Sequence, residues 1–389
     1  MTNVTLFSQI ISQLDRLNFS KLVKEKGTDK HHKGYNSWTH LVAMLFCQFA
    51  KSQSVRDISN GLRSATGNLN HLGIDRAPSK STISYQNKHR NWELFREYYY
   101  QLLGRLGQQA GFKQVKFRIK SKIFLLDSTT ISLCLSLFDW AKYKTAKGAV
   151  KMHTLLDFDG NLPAYINITN GKTADNKGAY DVPLLKGSVI VADRFYNDFS
   201  LLNIWDSKGV YFVIRHKENI QYTVIKENEL PEKRHQHILI DEIIELKNTS
   251  SKSKYPKRLR RVVVWDDVNK QTIEIITNQF TWAANTIGEL YKSRWQVEIF
   301  FREIKQLLHI KSFIGTSENA VMIQIWTALI TILVLKALKA MAKFNWHLSN
   351  LVAFIRLNLF VKINLQQWLD KPFEESPKPL SNNLQGVLF

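Results

Sequence analysis

Cysteine is nearly missing from this chain: Cys47 and Cys134 are the only two among 389 residues, and they stand far apart. That excludes a disulfide framework and any zinc-ligand spacing, and makes a reducing cytosol the expected compartment. Proline is sparse as well, with eight in all; Pro372, Pro377 and Pro379 gather near the end and predict a disordered tail. Acidic side chains are scarce relative to basic ones, 33 against 54, which leaves a formal charge of +21. Such an excess excludes an acid-loving surface and points to nucleic acid or an anionic membrane.

Long apolar runs are missing too. Residues 320–335 form the one stretch that resembles a membrane span, yet Gln324 interrupts it and Lys336 and Lys339 follow within a turn. It falls short of the ~20 apolar residues a span needs, so a buried core or subunit-interface helix is expected. The opening residues from Met1 to Phe7 lack a basic segment and a cleavage site, so no secretion signal is expected. With the membrane set aside, nucleic acid remains as the partner. A hydrophobic share of 44% at this length supports a large core in two or three domains or subdomains.

The most informative stretch runs from Tyr291 to Leu308 and reads as one helix. At about 100° per residue, Tyr291, Arg294, Glu298, Arg302 and Lys305 share one face. Val297, Phe300, Ile304, Leu307 and Leu308 supply a separate apolar stripe. One carboxylate among three cations and a phenol suits phosphate around a metal better than a salt-bridged surface. Upstream, the apolar run 124–126 ends in Asp127-Ser128-Thr129, and 189–192 ends in Asp193-Arg194. Two strands therefore deliver two carboxylates. Hard divalent cations take oxygen ligands, and two-metal phosphodiester chemistry needs several carboxylates converging from different elements. Asp127, Asp193 and Glu298 meet that need as catalytic and metal-binding residues.

On these residues the sequence resembles the DDE transposases of bacterial insertion sequences, specifically the IS4-type group. Tyr291, Arg294, Glu298 and Lys305 match its Tyr, two residues, Arg, three residues, Glu, six residues, Lys signature, and Asp127 and Asp193 match its first two acidic positions. The resemblance covers about residues 120–308 well and the first hundred more loosely. It implies metal-dependent cleavage and strand transfer of insertion-sequence ends through hairpin intermediates. It also implies two Mg²⁺ ions, for which Mn²⁺ substitutes. The expected partners are double-stranded DNA, as inverted-repeat ends and target, and a second copy of the chain in a homodimer. The expected location is bacterial, cytoplasmic and at the nucleoid. Two rivals are a DNA-binding repressor or domesticated protein without chemistry, and a stand-alone nuclease, which a joining assay separates.

The expected fold is α/β, an RNase H-like core with a mixed sheet flanked by helices, joined to a helical N-terminal domain and a β-rich insertion. Core strands are predicted at 123–127, 150–157, 164–169, 189–193 and 211–215. Insertion strands are predicted at 222–225, 238–246, 259–265 and 272–276. The expected division is 1–115 N-terminal DNA-binding, 116–216 first core part, 217–276 insertion, 277–345 second core part and 346–389 C-terminal helices and tail. In the first part, residues 79–90 predict a helix capped by Ser79 or Ser81, with polar and basic side chains fit for base edges and phosphates.

Further DNA contacts are expected from Tyr291, Arg294, Arg302, Lys305 and Arg194. Lys151 and His153 alternate along one strand beside the site. A basic loop from Lys252, through Lys257 and Arg258 to Arg260 and Arg261, is expected to track a DNA backbone. Asp175 and Asp181 are expected to be solvated. In the resembling family the insertion often carries an aromatic that traps a flipped base, for which Trp265 and Trp282 are the candidates.

Overall fold

The computed structural model describes residues 3–65, 67–107, 117, 119–133, 140, 142–144, 147–218, 220–230, 237–307 and 313–373. Its ten strands are β1 Ile123–Leu133, β2 Lys142–Lys144, β3 Lys147–Asp157, β4 Leu162–Asn170, β5 Val189–Ala192, β6 Tyr211–Arg215, β7 Tyr222–Glu227, β8 Ile238–Leu246, β9 Leu259–Asp266 and β10 Gln271–Thr277. All ten join one mixed sheet in the order β2-β3-β1-β5-β6-β10-β9-β8-β7, with β4 also pairing β3. β1, β3 and β4 are antiparallel neighbours, whereas β5 and β6 run parallel to β1. β5 reads Val-Ile-Val-Ala and is buried throughout, as a short parallel strand covered on both faces must be.

The β-rich segment does not build a sheet of its own. β10 pairs antiparallel with β6, so β10, β9, β8 and β7 continue the sheet outward from the core strands. The long route from β6 out to β7 and back through β10 returns the chain beside β6, where the helix Ala284–Ser293 begins.

Helices cover the sheet on both sides. The helix Glu318–Met341 is long and apolar enough, by composition, to cross a membrane, yet 94% of its apolar window is buried inside the fold, as expected of a core helix. It packs against the N-terminal helices Ser37–Ala50, Lys80–His89 and Glu93–Leu106, and their apolar faces merge with one side of the sheet in a single cluster from Leu6 to Leu369. Gln324 interrupts this helix without orphaning its polar atoms: Oε1 accepts the Ile314 N–H at 3.0 Å, and the backbone carbonyl accepts from Gln48 Nε2 at 3.3 Å. A second cluster, with Leu126, Ile190, Phe212 and Trp205, fills the opposite side of the sheet. β1 separates the two, since Leu125 faces the first cluster and Leu126 the second. Beyond residue 343 the chain is helical at Leu348–Asn358 and Leu365–Asp370. Pro377, Pro379 and the expected tail lie outside the described residues.

Ser79 caps the helix Lys80–His89, accepting from the Thr82 N–H. Ile83 and Asn87 are buried, and Ser81, Ser84, Tyr85 and Lys88 are exposed along the other face, with the Tyr85 ring stacked on His89 at 4.1 Å between centroids. This helix therefore presents a polar, basic and aromatic surface while its apolar side stays seated in the core.

Candidate active site

Strand register places the first two carboxylates. β1 and β5 pair in parallel with Leu126 opposite Ala192, so Asp127 and Asp193 are adjacent positions on strands about 4.8 Å apart. Asp193 stands just past β5 and caps the short turn Arg194–Tyr196, its Oδ1 accepting the Phe195 N–H at 2.8 Å. Asp127 Oδ1 accepts the Ser128 N–H at 2.7 Å. Because side chains alternate along a strand, Asp127 and Thr129 face the side of the sheet that Leu125 faces, where the helix Trp295–Leu307 packs through Val297, Phe300 and Ile304.

The predicted single helix from Tyr291 is two. Ala284–Ser293 and Trp295–Leu307 meet at Arg294, where Arg294 N–H bonds the Tyr291 carbonyl and Val297 N–H bonds the Arg294 carbonyl. Those i to i+3 bonds tighten the winding at the junction, so one helical wheel does not run through both pieces. Tyr291 belongs to the first helix and is buried; burial raises its phenol pKa, with Asp193 adding and Arg294 and Arg215 opposing. Leu308 lies outside the described residues.

Arg294 is at the centre of the arrangement. Its guanidinium reaches Asp127 Oδ2 at 3.3 Å through Nη1 and Glu298 Oε1 at 2.5 Å through Nη2, bridging sheet and helix. Lys305 donates to Thr129 Oγ1 at 2.5 Å, a second tie two turns of helix beyond Glu298. Arg302 is exposed on the same helix, and Arg194 is exposed beside Asp193 with Glu218 at 3.5 Å. Phe195 and Trp295, 60% and 55% exposed, flank the acidic residues; sequence reasoning passed over both, although each directly follows a residue it had singled out.

Burial pushes the Asp127 carboxyl up to about 7; the Ser128 N–H and Arg294 oppose that shift, and Asp193 and Glu298 add to it. Asp193 is raised as well, chiefly by burial. Carboxylates so placed are short of compensating positive charge. An all-oxygen donor set of this kind fits a hard divalent cation. Among the described residues no three acidic, His or Cys side chains already converge on one point, because the Arg294 guanidinium spans Asp127 and Glu298 as their local counter-charge.

Other predicted site residues are placed differently. His153 is 1% exposed and, with Lys151, lies on the face of the sheet away from Asp127, across from Ser128 in register. Its Nε2 bonds Thr169 Oγ1 at 2.9 Å and burial lowers its pKa to about 4, so it is a neutral interior group with no path to a phosphate. Lys151 is committed to Asp175 at 3.0 Å and to the Thr173 carbonyl at 2.8 Å. Asp175, expected to be solvated, is half-buried and partnered; it also accepts from the Ser128 hydroxyl. Gly178 closes over His153, and a Cβ there would come within 2.5 Å of Nδ1. Gly178→Ala should cost about 1–3 kcal/mol by overpacking, measurable as a lowered urea midpoint at unchanged slope.

The basic stretch is likewise not a loop. Lys252 is in the helix Thr249–Lys254, and Arg260 and Arg261 are in β9. Arg260 and Asp241 are both 6% exposed in a 2.7 Å pair, and Arg261 joins Glu242 and Glu274, each at 2.8 Å. Consecutive on β9, the two arginines face opposite sides of a strand paired on both edges, and each is buried against a carboxylate, so the structure places neither in a solvent-exposed loop. Lys257 pairs with Asp206 and Arg258 with Glu245 at the surface. Trp265 and Trp282 are half-buried; the Trp265 indole donates to Asp267 at 2.9 Å and Trp282 packs on Tyr211.

Comparison with known proteins agrees with the geometry. The model of the transposase DDE domain matches residues 118–334, and a model of a domain of unknown function, DUF4372, matches residues 2–75. The chain is 28% identical over 71% of its length, and 72% of the relative's, to a probable transposase for insertion sequence element IS5377 of Geobacillus stearothermophilus. It is 29% identical to a putative transposase of Sinorhizobium fredii, covering 67% of this chain and 71% of that one. A putative transposase for insertion sequence element IS4SA of Synechocystis sp. is 25% identical, covering 74% of this chain and 80% of that one. The family generally uses divalent metal ions and acts on DNA. With one aspartate on β1, a second just past the end of its parallel neighbour β5 and a glutamate on the helix that packs against β1, the chain belongs to the DDE transposase family of insertion sequences.

Proposed function

We propose that this transposase cleaves the ends of its own insertion sequence and joins them to target DNA, a cut-and-paste reaction through hairpin intermediates. The observation that carries this reading is the parallel register of Leu126 with Ala192, which sets Asp127 beside Asp193 under the Glu298 helix. The order β4-β3-β1-β5-β6, antiparallel over its first three strands and parallel over β1, β5 and β6, supports an RNase H-like core. Asp127, Asp193 and Glu298 would hold two Mg²⁺ ions, or Mn²⁺ in their place. When bound, the ions make a water or a 3′-hydroxyl nucleophilic and stabilise the leaving oxygen.

The chain's own residues do the remaining work. Arg294, which lies between Asp127 and Glu298, would offer its guanidinium to the scissile phosphate, and Lys305 and Arg302 lie on the helix Trp295–Leu307 to grip flanking phosphates. Tyr291, packed against Arg294, limits where that guanidinium can go. Phe195 and Trp295, exposed beside the acids, offer a better platform for an unstacked base than Trp265 or Trp282, a contact worth about 1–3 kcal/mol. The helix Lys80–His89 reads as the end-recognition element of an N-terminal DNA-binding part. The assembled complex is read as a homodimer on paired ends in the bacterial cytoplasm.

DNA binding should weaken linearly in log–log salt plots. Replacing Lys80 and Lys88 together by Ala should lower the slope by up to about 0.9 per lost phosphate contact, measured by gel shift; an unchanged slope removes this helix from the interface. Incubating the protein with Mg²⁺, DNA carrying the inverted repeats that flank its gene, and a target plasmid tests the reaction itself. Joined products are expected; nicking without joining would make the chain a nuclease, and binding without either would make it a repressor.

A further inference from the structure

A polar cluster on the side of β1 away from Glu298 has no part in the chemistry just described, yet it is built around the residues that neighbour both aspartates. Its centre is Asp175, at the start of the short helix Asp175–Ala179. Asp175 accepts from the Ser128 hydroxyl on β1 and pairs with Lys151 on β3 at 3.0 Å. The next residue, Asn176, donates to Asp198 Oδ2 at 2.9 Å, and the Tyr180 hydroxyl donates to the same oxygen at 3.2 Å. One short segment is therefore fastened to the strand of Asp127 at one end and, through Asp198, to the chain just after Asp193 at the other.

Both fastenings bear on carboxylate placement. Ser128 follows Asp127 directly, and its N–H is the donor that holds Asp127 Oδ1 at 2.7 Å; a rotation at Ser128 moves that donor. Asp193 is one residue past the end of β5, so the ladder holds it only through Ala192; the rest of its placement depends on the turn Arg194–Tyr196 and on what holds the chain to Asp198. Under the segment lie the buried ring of His153, against which Gly178 closes, and the buried ring of Tyr196. The packing leaves the segment little freedom to shift sideways.

We propose that Asp175 is a positioning residue that sets Asp127 and Asp193 relative to each other by clasping Ser128 and, through its segment, Asp198. The inference rests on the reading of Asp127, Asp193 and Glu298 as the cation site, and it extends that site to the opposite face of β1. Partners standing behind metal ligands typically change affinity or activity by about 10–100-fold when removed.

The test uses the full-length chain and free Mn²⁺ measured by electron paramagnetic resonance, with cleavage against Mn²⁺ concentration and a thermal melt alongside. Asp175→Asn should raise the half-saturating Mn²⁺ concentration by about 10–100-fold, with maximal cleavage largely recovered at high metal and end binding unchanged. Ser128→Ala, which deletes one oxygen and keeps the backbone donor, should shift it in the same direction by less, and it serves if Asp175→Asn folds poorly. Asp193→Asn, run in parallel, should lose Mn²⁺ binding altogether. Parental Mn²⁺ affinity in both Asp175→Asn and Ser128→Ala overturns the proposal while Asp193→Asn still fails to bind. Complete loss in Asp175→Asn also overturns it, since Asp175 would then be a ligand. Parental affinity in Asp193→Asn removes the cation site itself and the proposal with it.

Discussion

Asp193→Asn and Glu298→Gln should each lower metal-dependent strand cleavage by orders of magnitude while leaving end binding and folding close to the parent. The reasons are local. Asn at 193 can still accept the Phe195 N–H that the carboxylate accepts at 2.8 Å, so the turn after β5 survives. Gln at 298 keeps the length and helix propensity of Glu and leaves Arg294 its Asp127 partner at 3.3 Å. What each change removes is a negative oxygen where a hard cation needs one. The affinity for DNA ends rests on other residues, so gel shifts and cleavage run side by side should separate completely. Cleavage near the parental rate in either variant would place that ligand elsewhere.

Arg260→Ala should be the most destabilising single change in the outer half of the sheet. Arg260 holds Asp241 through two nitrogens, at 2.8 and 2.7 Å, and donates to the Trp282 carbonyl at 2.6 Å. Removing it strands a carboxylate that is 6% exposed, with Asn228 Nδ2 at 3.1 Å as its remaining side-chain donor. Breaking a buried pair from one side costs about 3–5 kcal/mol. Lys257→Ala and Arg258→Ala, whose side chains are 56% and 59% exposed, should cost about 1 kcal/mol or less. Urea unfolding of the three variants decides the matter. An Arg260→Ala protein with the parental midpoint and weakened DNA binding would return this residue to the DNA interface.

These two predictions mark where sequence reasoning succeeds and where it stops. Period-2 and apolar-run patterns located all nine predicted strands, because a buried strand such as Val189–Ala192 has few other ways to satisfy its backbone. The same patterns could not show that β10 returns to pair with β6, since register between strands sixty residues apart is decided by packing rather than by either strand's composition. The elements that carry Asp127, Asp193 and Glu298 were legible because each has a readable period or apolar run. The burial of Arg260, Arg261 and His153 was not legible, because charge along a sequence does not tell which strands are covered on both faces. The partners of Asp175 were missed because Ser128 and Lys151 lie forty-seven and twenty-four residues away, and a single Asp in a Gly- and Lys-containing loop gives no sign of them. The break at Arg294 was equally invisible, since the apolar stripe from Val297 onward lies in the second helix alone and gives no sign of where that helix starts.

The central claim is that the guanidinium now spanning Asp127 and Glu298 stands where cations bind when the enzyme is loaded. Anomalous diffraction from crystals of the full chain with its end DNA and Mn²⁺ tests it most directly. The account predicts Mn²⁺ peaks among the carboxylate oxygens of Asp127, Asp193 and Glu298, with Arg294 turned toward a phosphate. Mn²⁺ bound elsewhere on the chain, with Arg294 still bridging Asp127 and Glu298, would contradict it.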